Sequence, residues 1–445
     1  MILIGNGRAI TWNKDKPYLS DGCVAVEGSE IVGLGATPAL KAQYPHAEFY
    51  DARRRVIMPG LINAHTHIYS SFARGLFLPQ SKPNRNFSEI LKNLWWRIDK
   101  VLDENDNLYS AYAAGLESVR CGVTTLFDHH ASQRHVTGSL PVMEQALSGI
   151  GLRACLCYEV SDRDGPETAE RAIRENLSFI IHTEMQDTSL IKGMFGLHAS
   201  FTLSPETLEK CAAAMNGRRA GYHIHAAESV EDLIDSMKKY NKRVIHRLYD
   251  AKILGEKTLA IHNVHVNGED FELLAATKTM AVHNPESNMS NAVGCAPALE
   301  MMRKGVLTGL GTDAYTQDMF ESLKAANLIH KHVQADPSAG FAESMEMLFI
   351  NNAAIAAHFW EKPLGVLREG AYADLIVLDY NPPTPMNAAS LAGHIMFGMS
   401  GRAVASTMVN GRWIMKERVM QTVDEVAIMA RCRAQCADFW KRVTA

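Results

Sequence analysis

The 445-residue chain has no apolar run approaching the ~18 residues that a membrane-spanning helix requires. It has no surplus of one charge either. Lysine and arginine number 45 against 49 aspartates and glutamates, for a net charge of −4, and no basic stripe interrupts the sequence. Nucleic acid and anionic membrane are therefore not expected as partners. There is no Cys-x-x-Cys. The eight cysteines are scattered, and the close pairs Cys155/Cys157 and Cys432/Cys436 read as buried or spare thiols rather than metal ligands. The first residues, Met1-Ile2-Leu3-Ile4-Gly5-Asn6-Gly7-Arg8, lack the charged region and long apolar core of a secretory signal. These features lead to the expectation of a cytoplasmic protein with reduced thiols. No internal repeat or low-complexity tract points to a solenoid. No Gly-x-Gly-x-x-Gly turn follows an apolar run, which counts against a dinucleotide-binding open sheet.

What is present is an ordinary globular balance, 47% hydrophobic and 21% charged, in a chain too long for one ordinary core. One large domain with a smaller companion is expected. Residues 1–55 read as short strands: Met1–Ile4, broken by Gly5-Asn6-Gly7, then Cys23–Val26 and Ile31–Leu34 around a Glu27-Gly28 turn. Residues 56–365 change character. Strand-like runs at 56–68, 123–130, 153–160, 191–200, 221–228, 259–266, 279–287 and 306–313 alternate with helix-like stretches such as 105–121, 167–182, 205–216, 229–250 and 268–276. Eight strands alternating with helices predict an α/β fold, a (β/α)8 TIM-type barrel. Residues 366–445 return to strands at 373–379, 404–409 and 413–415 and close on an amphipathic helix over 424–442. The β-rich ends are expected to pair into one small composite β-sandwich domain.

Polar residues recur at the C-terminal ends of the apolar runs, the end where a barrel collects its active site. The first run ends in His65-Thr66-His67 and the second in Asp128-His129-His130. The fourth carries His198 and the fifth His223 and His225, with Glu228 beyond. The sixth ends in His262, the seventh in His283 and the eighth in Asp313. On a strand His65 and His67 point to the same side, which makes half of a metal site. Taken singly, each of these residues fits a satisfied core histidine or a loop carboxylate as well as a ligand. Their coincidence at the same end of successive strands argues for a metal or acid–base site.

The set His65-x-His67, His225-Ala226-Ala227-Glu228, His262, His283-Asn284-Pro285-x-Ser287-Asn288 and Gly311-Thr312-Asp313 resembles the amidohydrolase superfamily, in its cytosine/guanine deaminase and chlorohydrolase branch. The resemblance spans nearly the whole chain, including Gly370-Ala371-Tyr372-Ala373-Asp374-Leu375 and Val409-Asn410-Gly411 of the sheet domain. Asn93-Leu94-Trp95-Trp96-Arg97, Asp128–Ser132 and Gly393–Met399 resemble one aminohydrolase group within that branch.

The resemblance implies that His65, His67, His225 and Asp313 hold one divalent metal ion per subunit, with Zn²⁺ preferred over Fe²⁺ for three nitrogens and a carboxylate. A single ion is expected because Lys192 lies at the beginning of its strand, whereas two-metal relatives place a bridging lysine at the end. His223 is expected to lie one layer deeper. The implied catalytic residues are Glu228 as proton carrier, His262 as orienting group and Asp313 as base, with His198, His129 and Arg74 as substrate contacts and His130 a further pocket candidate. Trp95 and Trp96 read as an apolar lid or as helix packing. The implied reaction is hydrolytic deamination of a purine- or pterin-like heterocycle. The alternatives are ring-opening amide hydrolysis or dechlorination on the same centre, or a barrel that binds without catalysis. A small-molecule substrate and a homodimer or larger homo-oligomer complete the expectation.

Overall fold

The computed structural model describes residues 1–78, 83–186 and 190–444. The two ends of the chain meet in a nine-stranded sheet, and the four-residue strand Val56–Pro59 is its middle. Val56–Pro59 is wholly buried. It runs antiparallel to Leu375–Leu378, with Val56 opposite Leu378 and Pro59 opposite Leu375, and parallel to Ile2–Ile10. Tyr18–Glu27 and Glu30–Ala36 extend one flank, and Val404–Val409, Arg412–Lys416 and Val419–Met420 the other. The expected break at Gly5-Asn6-Gly7 is instead a bulge. Ile2–Ile10 runs through it with a register shift between Ile4 and Gly7, and Asn6 takes φ +54°.

The run 56–68, expected as one barrel strand, splits at Gly60. The Gly60 N–H donates to the Asp374 carbonyl at 3.0 Å, and a Cβ here would sit 2.1 Å from Thr124 Oγ1. Only glycine fits this close approach. Residues before it join the end sheet, and Leu61–Thr66 becomes the first of eight parallel strands.

Those eight follow one another in space as in sequence: Leu61–Thr66, Val123–His130, Arg153–Tyr158, a fourth in two pieces (Ile191–Gly193 and Phe195–Ala199), Tyr222–Ala226, Leu259–His262, Met280–His283 and Thr308–Leu310. They form a four-stranded and a five-stranded sheet. The parallel bridges Val160↔Leu197 and Thr66↔Asp313 join the two at both seams. Glu104–Arg120, Pro166–Met185, Pro205–Ala214 and Gly268–Ala276 match the expected helices. The stretch 229–250 is two helices, Val230–Tyr240 and Val244–Asp250, because Asn241 takes φ +51°. This is the α/β fold expected, a (β/α)8 barrel with an added sheet. Ile62, Phe127, Cys155, Cys157, Ile261 and Val282 fill the barrel interior, so the thiols of Cys155 and Cys157 sit in an apolar cluster. No helix among the described residues is long and apolar enough to cross a membrane.

The terminal helix Glu425–Thr444 packs on Glu104–Arg120 and on the segment after the first barrel strand. Trp440 Nε1 donates to the Phe72 carbonyl at 2.7 Å, and Arg442 clamps Asp106 with two contacts of 2.7 Å. Phe439 and Val443 bury with Tyr69, Phe72 and Ile98. The last residues therefore brace the loop that covers one side of the barrel mouth.

Barrel and sheet are tied by a buried ion pair. Arg153, first residue of the third strand, meets Asp374 at 3.0 and 3.1 Å, and both side chains are essentially inaccessible. The guanidinium also lies 4.2 Å from the Tyr372 ring centroid. Breaking a buried pair leaves an uncompensated charge, at about 3–5 kcal/mol. Asp374→Ala should therefore lower stability by about that amount in urea titration, and Arg153→Met with Asp374→Leu should recover most of it. A single-variant loss below about 1 kcal/mol would contradict this role, since that is the range of exposed pairs.

Candidate metal centre and active site

Alternation along the first barrel strand does not by itself bring both histidines inward. Ile62 and Ala64 already face the interior, so a regular strand would turn His65 outward. Pairing with the second strand slips between Asn63 and Thr66, where one extra residue is accommodated. This bulge re-aims His65 and His67 into the barrel mouth.

There they meet the fifth and eighth strands. His67 Nε2 lies 3.2 Å from His225 Nε2 and 3.2 Å from Asp313 Oδ1, and His65 Nε2 lies 3.5 Å from the same oxygen. Ligands 2.0–2.1 Å from a tetrahedral ion stand about 3.3–3.4 Å apart. These three spacings are those of neighbouring ligands on one such ion. The other ring nitrogens are committed. His67 Nδ1 donates to the His129 carbonyl at 2.6 Å and His225 Nδ1 to the His198 carbonyl at 2.8 Å, while His65 Nδ1 meets His223 Nε2 at 2.8 Å. A proton held on Nδ1 leaves Nε2 free to bind a metal. His65 Nε2 is buried without a hydrogen-bond partner. The donor set fits a divalent zinc-like ion on its own chemistry.

The electrostatics agree. Burial pushes His65 down to about 3 and His225 well below its ordinary value. Burial opposes charge on His67 too, yet the Asp313 carboxylate lifts it to about 9. Asp313, though buried, is held well below the usual carboxylate range by His65 and His67. The pocket thus provides for a cation against Asp313. The Ser287 hydroxyl donates to Asp313 Oδ2.

Glu228 and His262 stand beside this shell. His262 Nε2 is 3.4 Å from Glu228 Oε2 and 3.8 Å from Asp313 Oδ2, and its Nδ1 donates to Asn288 Oδ1 at 2.9 Å. Glu228 Oε1 and His262 Nε2 are buried without hydrogen-bond partners. Burial, then the nearby Asp313 charge, raises Glu228 well above its ordinary value. Ala227, His262, Asn263 and Asp313 take φ of +50°, +72°, +52° and +56°. Such strained backbone concentrates at functional sites.

A cavity of about 110 Å³ opens over these groups. Its walls include His198, Trp95 and Trp96, so both tryptophans face the cavity. Trp96 also lies 6.4 Å from the His198 ring and 5.4 Å from the Arg163 guanidinium. Three expected positions are not brought to the cavity wall. Arg74 is largely exposed and pairs with Glu117 at 2.9 Å. His129 is absent from the cavity lining, its ring 4.6 Å from that of His225 and its Nε2 on the Leu197 carbonyl. His130 is bonded to Ser132 Oγ at 2.9 Å. Lys192 lies at the opposite end of its strand, in a separate depression with Ile180 and Thr183.

The structure adds a charged wall that sequence reasoning missed. Arg163 contacts Asp99 at 2.5 Å and Glu159 at 2.7 Å, and all three line the cavity. Glu159 directly follows the third strand, so the rule that selected the histidines would have found it. Asp99 ends the short helix Trp96–Asp99 and Arg163 lies in the turn after the third strand, and no local pattern announces that the two pack together.

The chain matches the Amidohydrolase family over residues 56–414. It is 30% identical over 436 residues to a 5-methylthioadenosine/S-adenosylhomocysteine deaminase of Pelotomaculum thermopropionicum, covering 97% of each chain. A zinc-bound adenosine deaminase from Xanthomonas campestris superposes with a TM-score of 0.85 at 22% identity, over 99% of this chain and 98% of that one. The zinc complex of atrazine chlorohydrolase TrzN from Arthrobacter aurescens does so with 0.83 at 22%, over 98% and 100%.

If the four side chains share one ion, each of His225→Ala and Asp313→Ala should lose one metal equivalent per chain by elemental analysis after dialysis. Arg74→Ala should lose none. Retention of that equivalent in Asp313→Ala would remove the carboxylate from the shell.

Proposed function

The chain belongs to the amidohydrolase family, and we propose that it is a mononuclear metal-dependent aminohydrolase that deaminates an amino-substituted nitrogen heterocycle, releasing ammonia. The observation that carries this reading is the convergence of Glu228, His262 and Asp313 beside three histidine Nε2 atoms, under a cavity walled by two tryptophans. His65, His67, His225 and Asp313 would hold the ion, Zn²⁺ ahead of Fe²⁺. When bound, such an ion supplies an activated water at neutral pH.

The chain's own groups divide the proton work. The two carboxylates are pushed apart in proton affinity, which is how one site runs acid and base chemistry together. Asp313, kept ionised by His65 and His67, accepts a proton. Glu228, whose proton affinity burial raises, donates its proton to a ring nitrogen and takes one back from the added hydroxyl as the carbonyl forms, while the proton held by Asp313 goes to the leaving amine, which departs as ammonia. His262 keeps its Nδ1 proton on Asn288 and turns Nε2 toward the reacting centre. His198 bonds Thr202 Oγ1 at 2.6 Å through Nδ1, leaving Nε2 for a substrate acceptor or donor. Trp95 and Trp96 offer flat faces to a planar ring. A purine- or pterin-like ring meets these requirements. The deaminases similar to this chain act, by name, on adenosine-like compounds, which supports a purine.

Dechlorination is the second reading, favoured by the likeness to a triazine chlorohydrolase fold. The product separates them. A panel of aminopurines, aminopterins and chlorotriazines, incubated with the metal-replete protein, should give ammonia from the first two classes. Chloride alone would establish the second reading, and ring-opened products alone would refute deamination. Glu228→Gln should keep its metal and lose about 10²–10⁴-fold in kcat. A loss below tenfold would take Glu228 out of proton transfer.

A further inference from the structure

A second cluster of metal-ligating groups lies outside the catalytic shell. Met280 and Val282 of the seventh strand face the barrel interior, and Ala281 packs on the outer core. Alternation therefore turns His283 outward, toward the helix Met319–Gln334. His330 of that helix meets it with ring centroids 5.1 Å apart. Cys295, in the loop between Pro285–Ser290 and Ala298–Arg303, places Sγ 3.8 Å from His330 Nδ1. One donor atom from each of the three residues lies within 4.8 Å of the others.

Two further observations point to a ligand. His283 is fully buried, and neither of its ring nitrogens has a hydrogen-bond partner. A buried imidazole with no partner forgoes the hydrogen bonds it would make in water. Second, a sulfur at 2.3 Å and a nitrogen at 2.0–2.1 Å from a tetrahedral ion stand about 3.5–3.6 Å apart, close to the observed contact. The thiol now donates to the Ala296 carbonyl at 3.4 Å, so coordination would release that proton to solvent and leave a thiolate on the ion.

We propose that His283, Cys295 and His330 form a structural site for a divalent zinc-like ion, distinct from the catalytic centre. It would staple the helix Met319–Gln334 to the segment that follows the seventh strand. That segment supplies Ser287 to Asp313 and Asn288 to His262, so the staple stands directly behind the catalytic groups. Three protein ligands leave a fourth position for water or a further donor.

Cobalt distinguishes the two centres, because the catalytic shell contains no sulfur. The metal-stripped full chain, titrated with Co²⁺, should bind two equivalents, one of them with a near-ultraviolet thiolate-to-cobalt charge-transfer band. Cys295→Ser should lose that band and one equivalent, and keep turnover within about twofold when the remaining site is loaded. His330→Asn should also lose one equivalent. A single equivalent in the wild-type chain without the band overturns the proposal, whatever the variants do. A band that survives in Cys295→Ser overturns it as well, since it would arise from another thiol.

Discussion

The structure depends on the seam where the first barrel strand meets the last. The backbone N–H groups of Thr312 and Asp313 both donate to the His65 carbonyl, at 2.9 and 3.0 Å, and Thr66 bridges to Asp313 in parallel register. Residues some 250 positions apart are thereby held so that one carboxylate reaches two imidazoles. Gly311 makes the approach feasible. A Cβ there would sit 2.4 Å from Asn284 Oδ1 and 2.9 Å from the His65 Cβ. Without this seam, His65-x-His67 is a pair of histidines with no counter-charge, and the barrel has no common point for its polar strand ends.

Much of this was legible in the sequence because it is repetitive and local. Eight apolar runs separated by helical stretches specify parallel βαβ units. Position near the C-terminal end of a run is a geometric statement in a barrel, and it brought His65, His67, His198, His225, His262 and Asp313 to one mouth. What could not be read was set by tertiary packing. The split at Gly60 depends on Thr124, a residue of another strand. The bulge that turns His65 inward depends on pairing with the second strand. His129 occupies a strand end like the others, yet it is absent from the cavity lining. Arg74 follows the first strand closely in sequence, but its loop carries it to the surface.

The site divides labour by environment rather than by residue type. Asp313 and Glu228 are both buried carboxyls, within reach of the same imidazole. Two histidines hold one well below the usual carboxylate range, while burial, then the charge of the first, raises the other well above it. His225 and His262 are likewise both strand-end histidines. The Nδ1 proton of one goes to a backbone carbonyl and that of the other to Asn288, and in the proposed reading one presents Nε2 to the ion and the other to the reacting group. One side of the cavity over them is walled by the segment that the terminal helix braces, which links the last residues of the chain to Glu228, His262 and Asp313.

The most direct test of the account is anomalous diffraction at the zinc edge from crystals of the zinc-loaded protein. One ion is expected at the barrel mouth. It should lie about 2.0–2.2 Å from the Nε2 atoms of His65, His67 and His225 and from one carboxylate oxygen of Asp313, with Glu228 and His262 facing it unbound. Two bridged ions at the mouth, or one ion held by Glu228 in place of Asp313, would contradict it.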